Sequence, residues 1–298
     1  LSMKAASDEL LAATGPTHEP YRVLLRDVRS RLRLTRRQME AQVEGLPVPE
    51  GDAYLRREEL MAPLQMLDRS LRAVGLNDIA DGDLKNTLRR LNCFGITLLR
   101  LDIRQESTRP SQVLDAITRY LQLGSYNDWD ESTRQAFLVD ELQARRPLID
   151  AAFRDSEHCT PEVAEVLATC EVIAEQGSEG LGAYVISMAT TPSDVMAVML
   201  LQKIAGVREP MRVVPLFETL DDLDGAEQTM SALLALPFYR ERVAAGQEVM
   251  IGYSDSAKDA GFLGAAWAQY RAQEKLTALF AENAIPLTLF HGRGGSIS

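Results

Sequence analysis

The sequence predicts an α/β fold with a large helical excess, and three observations support this prediction. Five short runs of apolar, β-prone residues are each followed by polar residues, and helix-forming residues come after the first four of these. The polar residues after the last four runs recur roughly 31 to 37 positions apart, a spacing that suits a repeated βα unit. Long helix-forming stretches precede the first run and separate it from the second. We therefore expect a parallel sheet that is preceded and interrupted by helices.

Residues 1–95 form the predicted helical segment. Helices are expected there at Pro20–Glu44, Tyr54–Val74 and Asp83–Phe94. The first helix carries apolar residues at near-helical spacing, namely Val23, Leu24, Val28, Leu32 and Met39. It also carries seven arginines, which are Arg22, Arg26, Arg29, Arg31, Arg33, Arg36 and Arg37. We expect these arginines to form a solvated face with internal ion pairs rather than an anion-binding site.

Residues 96–298 carry the predicted strands, and a helical insertion is expected over residues 110–177. The strands are predicted at Leu98–Ile103, Ala183–Met188, Arg212–Phe217, Val249–Ile251 and Pro286–Phe290. The helices are predicted at Ser111–Leu123, Asp130–Ala144, Pro161–Glu175, Val195–Ala205, Asp222–Leu236 and Asp259–Asn283. In a parallel α/β fold, functional side chains gather at the carboxyl ends of the strands. The polar residues directly after the strands are therefore the candidate site.

Charge and composition exclude some classes of protein. The chain has 298 residues, a formal net charge of −11 and enough apolar residues for a sizeable core. This charge argues against a general nucleic-acid binder, although a local cluster of Arg, Lys and His can still bind an anionic substrate. The three cysteines lie far apart, and there is no signal peptide or transmembrane-length apolar run. We expect a cytoplasmic protein that binds neither nucleic acid nor membrane.

Two carboxylates, Glu218 and Asp255, follow neighbouring predicted strands. Carboxylates that converge on one edge of a sheet make a hard oxygen site, which suits Mg²⁺ or Mn²⁺ held by few protein ligands plus substrate oxygens and water. Each residue also precedes a predicted helix, so both could instead be N-caps. The spacing alone leaves these two interpretations open. Asp221 and Asp222 are expected to be helix-start residues.

Four side chains that are cationic, or can become so, also lie at the predicted strand ends: Arg104, Lys258, His291 and Arg293. Arginine offers a planar fork to phosphate or carboxylate, and lysine offers a point charge. Each could singly form a structural salt bridge, such as one to Asp102 or Asp259, but four convergent groups favour an anion site. The glycines after His291 allow backbone to approach an anion, and the titration range of His291 suits proton transfer near neutrality.

Four motifs occur in the order LDIRQES, VPLFETLDDL, MIGYSDSAKDAG and TLFHGRGGS, and together they resemble phosphoenolpyruvate carboxylase. The resemblance runs from about Arg90 to the last residue, and four long motifs in order make it specific. It implies a TIM-type (β/α)8 barrel, of which this chain carries about five of the eight strands in addition to N-terminal and inserted helices. It also implies a lyase that converts phosphoenolpyruvate and bicarbonate into oxaloacetate and phosphate, through carboxyphosphate and a metal-bound enolate.

By motif position, the resemblance implies roles for the candidate residues. It implies that Glu218 and Asp255 bind Mg²⁺ or Mn²⁺, that Arg104, Lys258 and Arg293 bind anionic substrate, and that His291, Arg293 and Lys258 are catalytic. His291 and Arg293 would steady carboxyphosphate and the step that joins the enolate to CO₂. Members of the family are commonly allosteric homotetramers, so a homo-oligomer is expected.

The sequence also departs from the family pattern. The essential His-Pro-Thr motif of the family is absent, since neither His18 nor His158 lies in one, and the strands after the glycine-rich loop have no counterpart. We therefore expect this chain to be the central segment of the enzyme and to be inactive, or nearly so, alone. The alternative is a catalytically incomplete piece that only binds metal or anion or serves in assembly. A different phosphoenolpyruvate- or pyruvate-binding barrel would require the motif matches to be accidental.

Overall fold

The computed structural model describes residues 6–177 and 180–292, apart from the side chains of Ser254, Asp255 and Asp259. The chain divides into two compact units, Leu1–Leu99 and Arg100–Ser298. The first unit is helical in its described part. Its helices are α1 (Asp8–Thr14), α2 (Pro20–Glu44), α3 (Arg57–Ala73), α4 (Asn77–Ile79) and α5 (Lys85–Phe94), with a wide helical turn at Ala80–Leu84 between the last two.

Helix α2 has the predicted bounds because its two ends carry strong local signals. Pro20 occupies the first helical turn, where its missing N–H is not needed. Gly45 ends the helix in the left-handed conformation, with φ 66° and ψ 25°, and its N–H donates to the carbonyls of Ala41 and Gln42. These signals lie in the sequence, so the helix could be located from it.

The apolar face of α2 was predicted only in part. Val28 is buried in the core of the first unit, and Leu24 packs half-buried against it. Leu32 and Met39, however, are exposed. The buried row of α2 runs through Tyr21, Val28 and Thr35, which follow one another every seven residues. The remaining apolar residues lie beside that row, where this unit does not cover them.

A buried serine joins three helices of the first unit. Ser70 of α3 is fully buried, and its Oγ accepts a hydrogen bond from the backbone N–H of Ser7 at 3.0 Å. The same Oγ shares a hydrogen bond with the Tyr21 hydroxyl at 2.9 Å. Ser7 is the N-cap of α1, and Tyr21 lies in the first turn of α2. One hydroxyl therefore satisfies polar groups from two other helices.

We predict that Ser70→Ala destabilises the first unit by about 1–3 kcal/mol, because the Ser7 N–H and the Tyr21 hydroxyl lose a buried partner. Native-state hydrogen exchange of α1, α2 and α3 measures this loss within the unit. Ser30→Ala is the matched control, since Ser30 is exposed on α2. Equal protection in the two variants would contradict the prediction.

The second unit alternates strands and helices, as predicted. Its strands are β1 (Leu101–Glu106), β2 (Leu181–Ser187), β3 (Arg212–Phe217), β4 (Gln247–Ile251) and β5 (Leu287–His291). Its helices are α6 (Thr108–Tyr120), α7 (Glu131–Gln143), α8 (Pro161–Gln176), α9 (Pro192–Ile204), α10 (Leu220–Leu234), α11 (Pro237–Arg242) and α12 (Ser254–Glu282). Single 3₁₀ turns lie at Tyr126–Asp128 and Ala151–Asp155. Helices α6, α7 and α8 lie between the first two strands.

All neighbouring strand pairs are parallel, and the spatial order of the described strands is their chain order, β1-β2-β3-β4-β5. The predicted helix-rich α/β class is confirmed, and this strand order is consistent with a partial (β/α) barrel. The first strand continues to Glu106, so Arg104 lies within β1 rather than after it as predicted. It also begins three residues later than predicted. The cause is Leu98, whose φ of 73° is incompatible with a strand even though it is one of several closely spaced leucines.

The two faces of the sheet are both apolar. Successive side chains of a strand point to opposite faces, so each strand contributes to both. One face packs against the helices in the main core, through residues such as Tyr184, Ile186, Phe217 and Val249. The other face has a smaller cluster, formed by Ala183, Val185, Val214 and Leu216 with half-buried Met250 and Phe290. The central strands are therefore held on both faces, and their ends are well defined.

Among the residues that the structure describes, no helix combines the length and the apolar character needed to cross a membrane.

Candidate active site

The carboxyl ends of β3, β4 and β5 lie at one level. Ile251 of β4 is in register with Phe217 of β3 on one side and with His291 of β5 on the other. The N–H of Gly252 donates to the Phe217 carbonyl at 2.8 Å, and the N–H of Gly292 donates to the Ile251 carbonyl at 3.1 Å. The ladder of backbone hydrogen bonds therefore aligns the three strand ends that carry predicted site residues.

Glu218 follows β3 and meets Arg104 of β1 at this edge. The Glu218 carboxylate is 3.8 Å from Arg104 Nη2, and the exposed fraction is 10% for the Glu218 side chain and 55% for that of Arg104. A long ion pair with one half-exposed partner contributes little to stability. The guanidinium can therefore turn to an anionic ligand at small cost, while the carboxylate stays in place.

Among the described residues, Glu218 is not an N-cap, and Arg104 forms its ion pair with Glu218 and not with Asp102. Thr219, not Glu218, is the N-cap of α10, and its hydroxyl accepts from the N–H of Asp222. Asp222 in turn accepts from the N–H of Glu218 at 3.3 Å and that of Thr219 at 3.0 Å, so it is a helix-start residue as predicted. Asp102 accepts from the N–H of Ala183 at 2.8 Å.

Gly252 is packed directly against Glu218. A Cβ atom at Gly252 would lie 2.4 Å from the Cβ and 2.8 Å from the Cα of Glu218. Real Cβ atoms do not approach backbone this closely, so any other residue would force the ends of β3 and β4 apart. Gly252 therefore fixes the separation between Glu218 and the turn that begins α12.

That turn is tied down by a buried amide. Gln269 of α12 is buried, and its Nε2 donates to the carbonyl of Gly252 at 3.1 Å and to Ser256 Oγ at 2.9 Å. The Ser256 hydroxyl is buried too and lies 3.2 Å from the Tyr253 carbonyl, to which it donates. Between these residues, α12 is kinked at Gly261, whose φ is 70°. Gln269 thus anchors the first turn of α12 from beyond the kink.

Of the remaining predicted residues, the structure describes His291 and Lys258 fully, Asp255 in its backbone only, and Arg293 not at all. His291 ends β5 and is exposed, and its ring lies edge-on to that of Tyr253, with centroids 5.7 Å apart. Lys258 is exposed on α12. Asp255 lies in the first turn of α12, but its side chain is outside the described part of the structure, and Arg293 lies outside the described residues altogether. The structure therefore brings together Arg104 with Glu218, and His291 with the turn that precedes α12.

A further acid at the end of β2 serves the fold. Asp194 is buried at the start of α9 and accepts from the N–H groups of Thr190 and Thr191 at 3.0 and 2.9 Å. Burial raises the pKa of Asp194 above its usual value, and these hydrogen bonds oppose that effect. Since Oδ2 of Asp194 accepts both of these hydrogen bonds from the turn, Asp194 is a capping residue.

The comparisons with known proteins agree with this arrangement. The sequence profile of phosphoenolpyruvate carboxylase matches residues 2–298. The chain belongs to the phosphoenolpyruvate carboxylase family. It is 95% identical over 298 residues to the phosphoenolpyruvate carboxylase of Alcanivorax borkumensis, and 55% identical over 298 residues to that of Pseudomonas aeruginosa. It is 52% identical over 302 residues to that of Acinetobacter baumannii.

These matches cover all of the chain but only part of each relative. The aligned region is 34% of the Alcanivorax borkumensis and Acinetobacter baumannii carboxylases and 33% of the Pseudomonas aeruginosa one. The chain therefore spans about a third of the length of the carboxylases that it matches. Within the described residues, no group of three or more His, Cys, Asp or Glu side chains could hold a metal ion. Glu218 is the one predicted carboxylate ligand whose side chain is described.

Two residues of the site, Gly252 and Gln269, were not predicted from the sequence. Glycine at a strand end has many explanations, and its distance from Glu218 becomes known only from the pairing of β3 with β4. Gln269 lies more than three helical turns beyond the predicted site, in a stretch with an ordinary helical pattern. The only available signal was a neutral polar residue on the apolar side of a predicted helix.

We predict that Gly252→Ala destabilises the chain by about 1–3 kcal/mol, because the new methyl group overlaps Glu218. Urea unfolding measures the change. Gly225→Ala is the matched control, since a Cβ at Gly225 in α10 meets no atom within 4 Å. That substitution should stabilise α10 by about 0.5–1 kcal/mol. A neutral effect of Gly252→Ala would show that the two strand ends are not in contact.

We also predict that Gln269→Leu loosens the first turn of α12, because the Gly252 carbonyl and the Ser256 hydroxyl lose a buried donor, at a cost of about 1–3 kcal/mol. Hydrogen exchange of residues 252–258 should become faster, while that of β2 stays unchanged. Gln269→Glu is a second variant that should have the same effect. It keeps the length of the side chain but replaces the donor to the Gly252 carbonyl by an oxygen. Unchanged exchange in both variants would refute the anchoring role.

Proposed function

We propose that this chain forms the metal- and phosphate-binding part of a phosphoenolpyruvate carboxylase active site. The observation that carries this proposal is the pairing of a mostly buried carboxylate, Glu218, with a half-exposed guanidinium, Arg104, at the carboxyl edge of a parallel sheet. Such an edge is where α/β barrels bind their substrates. A carboxylate and an arginine side by side suit a substrate that carries both a metal-bound oxygen and a phosphate.

The divalent metal of this proposal is Mg²⁺ or Mn²⁺. Glu218 and Asp255 would hold it, because both offer hard oxygen donors and follow adjacent strands. The side chain of Glu218 fits this role, since it is mostly buried beside Arg104 and its backbone packs against Gly252. When bound, such a metal supplies Lewis-acid stabilisation of developing negative charge.

The anionic groups of phosphoenolpyruvate would be bound by Arg104 and Lys258. Phosphoryl transfer depends mainly on positioning and on neutralising charge, which are the contributions that a guanidinium fork and an ammonium group make. Both side chains are largely exposed to the solvent at this edge, so substrate can reach them. Lys258 also lies on the turn that Gln269 anchors, so its backbone has a defined position.

In the proposed reaction, an oxygen of bicarbonate attacks the phosphorus of phosphoenolpyruvate. The bond from phosphorus to the enol oxygen breaks, which yields carboxyphosphate and the enolate of pyruvate. Carboxyphosphate then releases CO₂ and phosphate, and the enolate carbon bonds to CO₂ to give oxaloacetate. His291 and Arg293 would stabilise carboxyphosphate and the final step, and the imidazole of His291 offers a group for proton transfer.

Catalysis would also need groups that this chain does not carry. The chain spans about a third of its relatives, and it has no His-Pro-Thr motif. We therefore propose that the 298 residues do not complete the reaction alone. The second candidate function, supported by the same observations, is a piece that binds metal or anion, or serves in assembly, without turnover. The homotetramer implied by the family resemblance stays a prediction.

The proposal is tested in the full-length Alcanivorax borkumensis carboxylase with this sequence in place of its matching segment. Glu218→Gln should reduce bicarbonate-dependent oxaloacetate formation at least about a hundredfold, because Lewis-acid stabilisation is worth several kcal/mol. It should also weaken Mn²⁺ binding measured by spin resonance. The same Mn²⁺ titration on the 298-residue chain shows whether the site assembles without the rest.

Asp221→Asn is the matched control, because Asp221 is an exposed carboxylate in the first turn of α10. It should leave both activity and Mn²⁺ affinity unchanged. Full activity of the Glu218→Gln protein would overturn the proposed metal role. Steady oxaloacetate production by the 298-residue chain would overturn the claim that it is incomplete, and an inactive chain that binds Mn²⁺ would favour the second candidate for the chain alone.

A further inference from the structure

Helix α2 presents an exposed apolar row that the first unit leaves uncovered. Leu25, Leu32 and Met39 follow one another every seven residues, and Val43 continues the row one turn later. Their exposed fractions are 49%, 39%, 43% and 88%. Residues seven apart on a helix lie almost in line along its axis, so these side chains form one strip along α2 from Leu25 to Val43.

A second row of the same period consists of arginines. Arg22, Arg29 and Arg36 each lie three residues before a member of the apolar row, and are therefore its neighbours on the helix surface. All are exposed. Arg22 pairs with Glu19 at 2.8 Å and Arg36 with Glu40 at 3.4 Å, both in exposed ion pairs that can be exchanged at small cost. Arg29 has no ion pair with any described residue.

Together these rows have the pattern of one side of a helix–helix seam. In coiled coils, an apolar row at one heptad position packs against the partner helix, and the charged row beside it selects the partner by its charge. On α2 the buried row through Tyr21, Val28 and Thr35 lies on the other side of the apolar row. The seam is thus bounded by the core on one side and by arginines on the other.

We propose that this seam binds an acidic amphipathic helix from the part of the phosphoenolpyruvate carboxylase polypeptide that lies outside these 298 residues. Two observations select this occupant. The arginine row calls for a partner with aspartate or glutamate at matching positions. The relatives are about three times as long as this chain, so most of the polypeptide that could cover the seam lies outside it.

A second copy of α2 is a poorer occupant. Two copies packed in antiparallel fashion through the same apolar row would bring their arginine rows face to face, and like charges across a seam are destabilising. The apolar row is also not expected to stay exposed to solvent, because contiguous exposed apolar strips on a protein surface usually mark an interaction site.

The test uses the full-length Alcanivorax borkumensis carboxylase with this sequence in place of its matching segment. A photoactivatable benzoylphenylalanine is placed at Leu32 in one variant and at Ser30 in the control. Ser30 is exposed on α2 about 200° around the helix from Leu32, so it faces away from the seam. After irradiation, mass spectrometry identifies the cross-linked peptides.

We expect Leu32 to give severalfold more cross-link than Ser30, to an acidic peptide from outside the 298 residues. Equal yields at both positions, or cross-links mainly to α2 of a second copy, would overturn the proposal. Leu32→Glu should lower the thermal midpoint of the full-length protein more than Ser30→Glu does, because glutamate would face an acidic partner. In the 298-residue chain the two variants should have the same midpoint. A full-length protein that tolerates Leu32→Glu as well as Ser30→Glu would also refute the seam.

Discussion

The candidate site depends on the contact between the backbone at Gly252 and Glu218. Parallel strands at the end of a sheet can diverge, but here the hydrogen bond from Gly252 to Phe217 and the absence of a side chain hold β3 and β4 together. Because β5 is in register with β4, His291 is brought to the same level. The positions of these residues thus depend mainly on the pairing of the strand backbones and less on contacts between side chains.

Buried polar side chains make the turns at this edge rigid. Asp222 accepts from the backbone that carries Glu218, and Gln269 donates to the backbone that precedes Asp255. A buried donor or acceptor that loses its partner costs more than the bond itself contributes, so each turn has one favoured conformation. The groups that would meet substrate, Arg104 and Lys258, are by contrast exposed and able to move. The site therefore combines turns that are held by buried hydrogen bonds with cationic side chains that are exposed to solvent.

Much of the site could be predicted from the sequence, and the omissions have a common cause. The position of Glu218 at the carboxyl edge follows from the rule that parallel strands end at the same edge of a sheet. Gly252 and Gln269 escaped notice because their roles are contacts with residues far away in the chain. On α2, the periodicity identified the apolar residues, but burial of Val28 and exposure of Leu32 depend on which neighbours are present.

The sequence by itself determined the alternation of helices and strands, the ends of α2, and the motifs that place the chain in its family. These depend on local preferences and short patterns, which the chain carries wherever it is. Only the tertiary structure decided that β3, β4 and β5 end level, that Arg104 faces Glu218 rather than Asp102, and which apolar row of α2 is covered. The physical reason is that register, close approach and burial are set by hydrogen bonds and packing between distant segments, and no local pattern contains those distances.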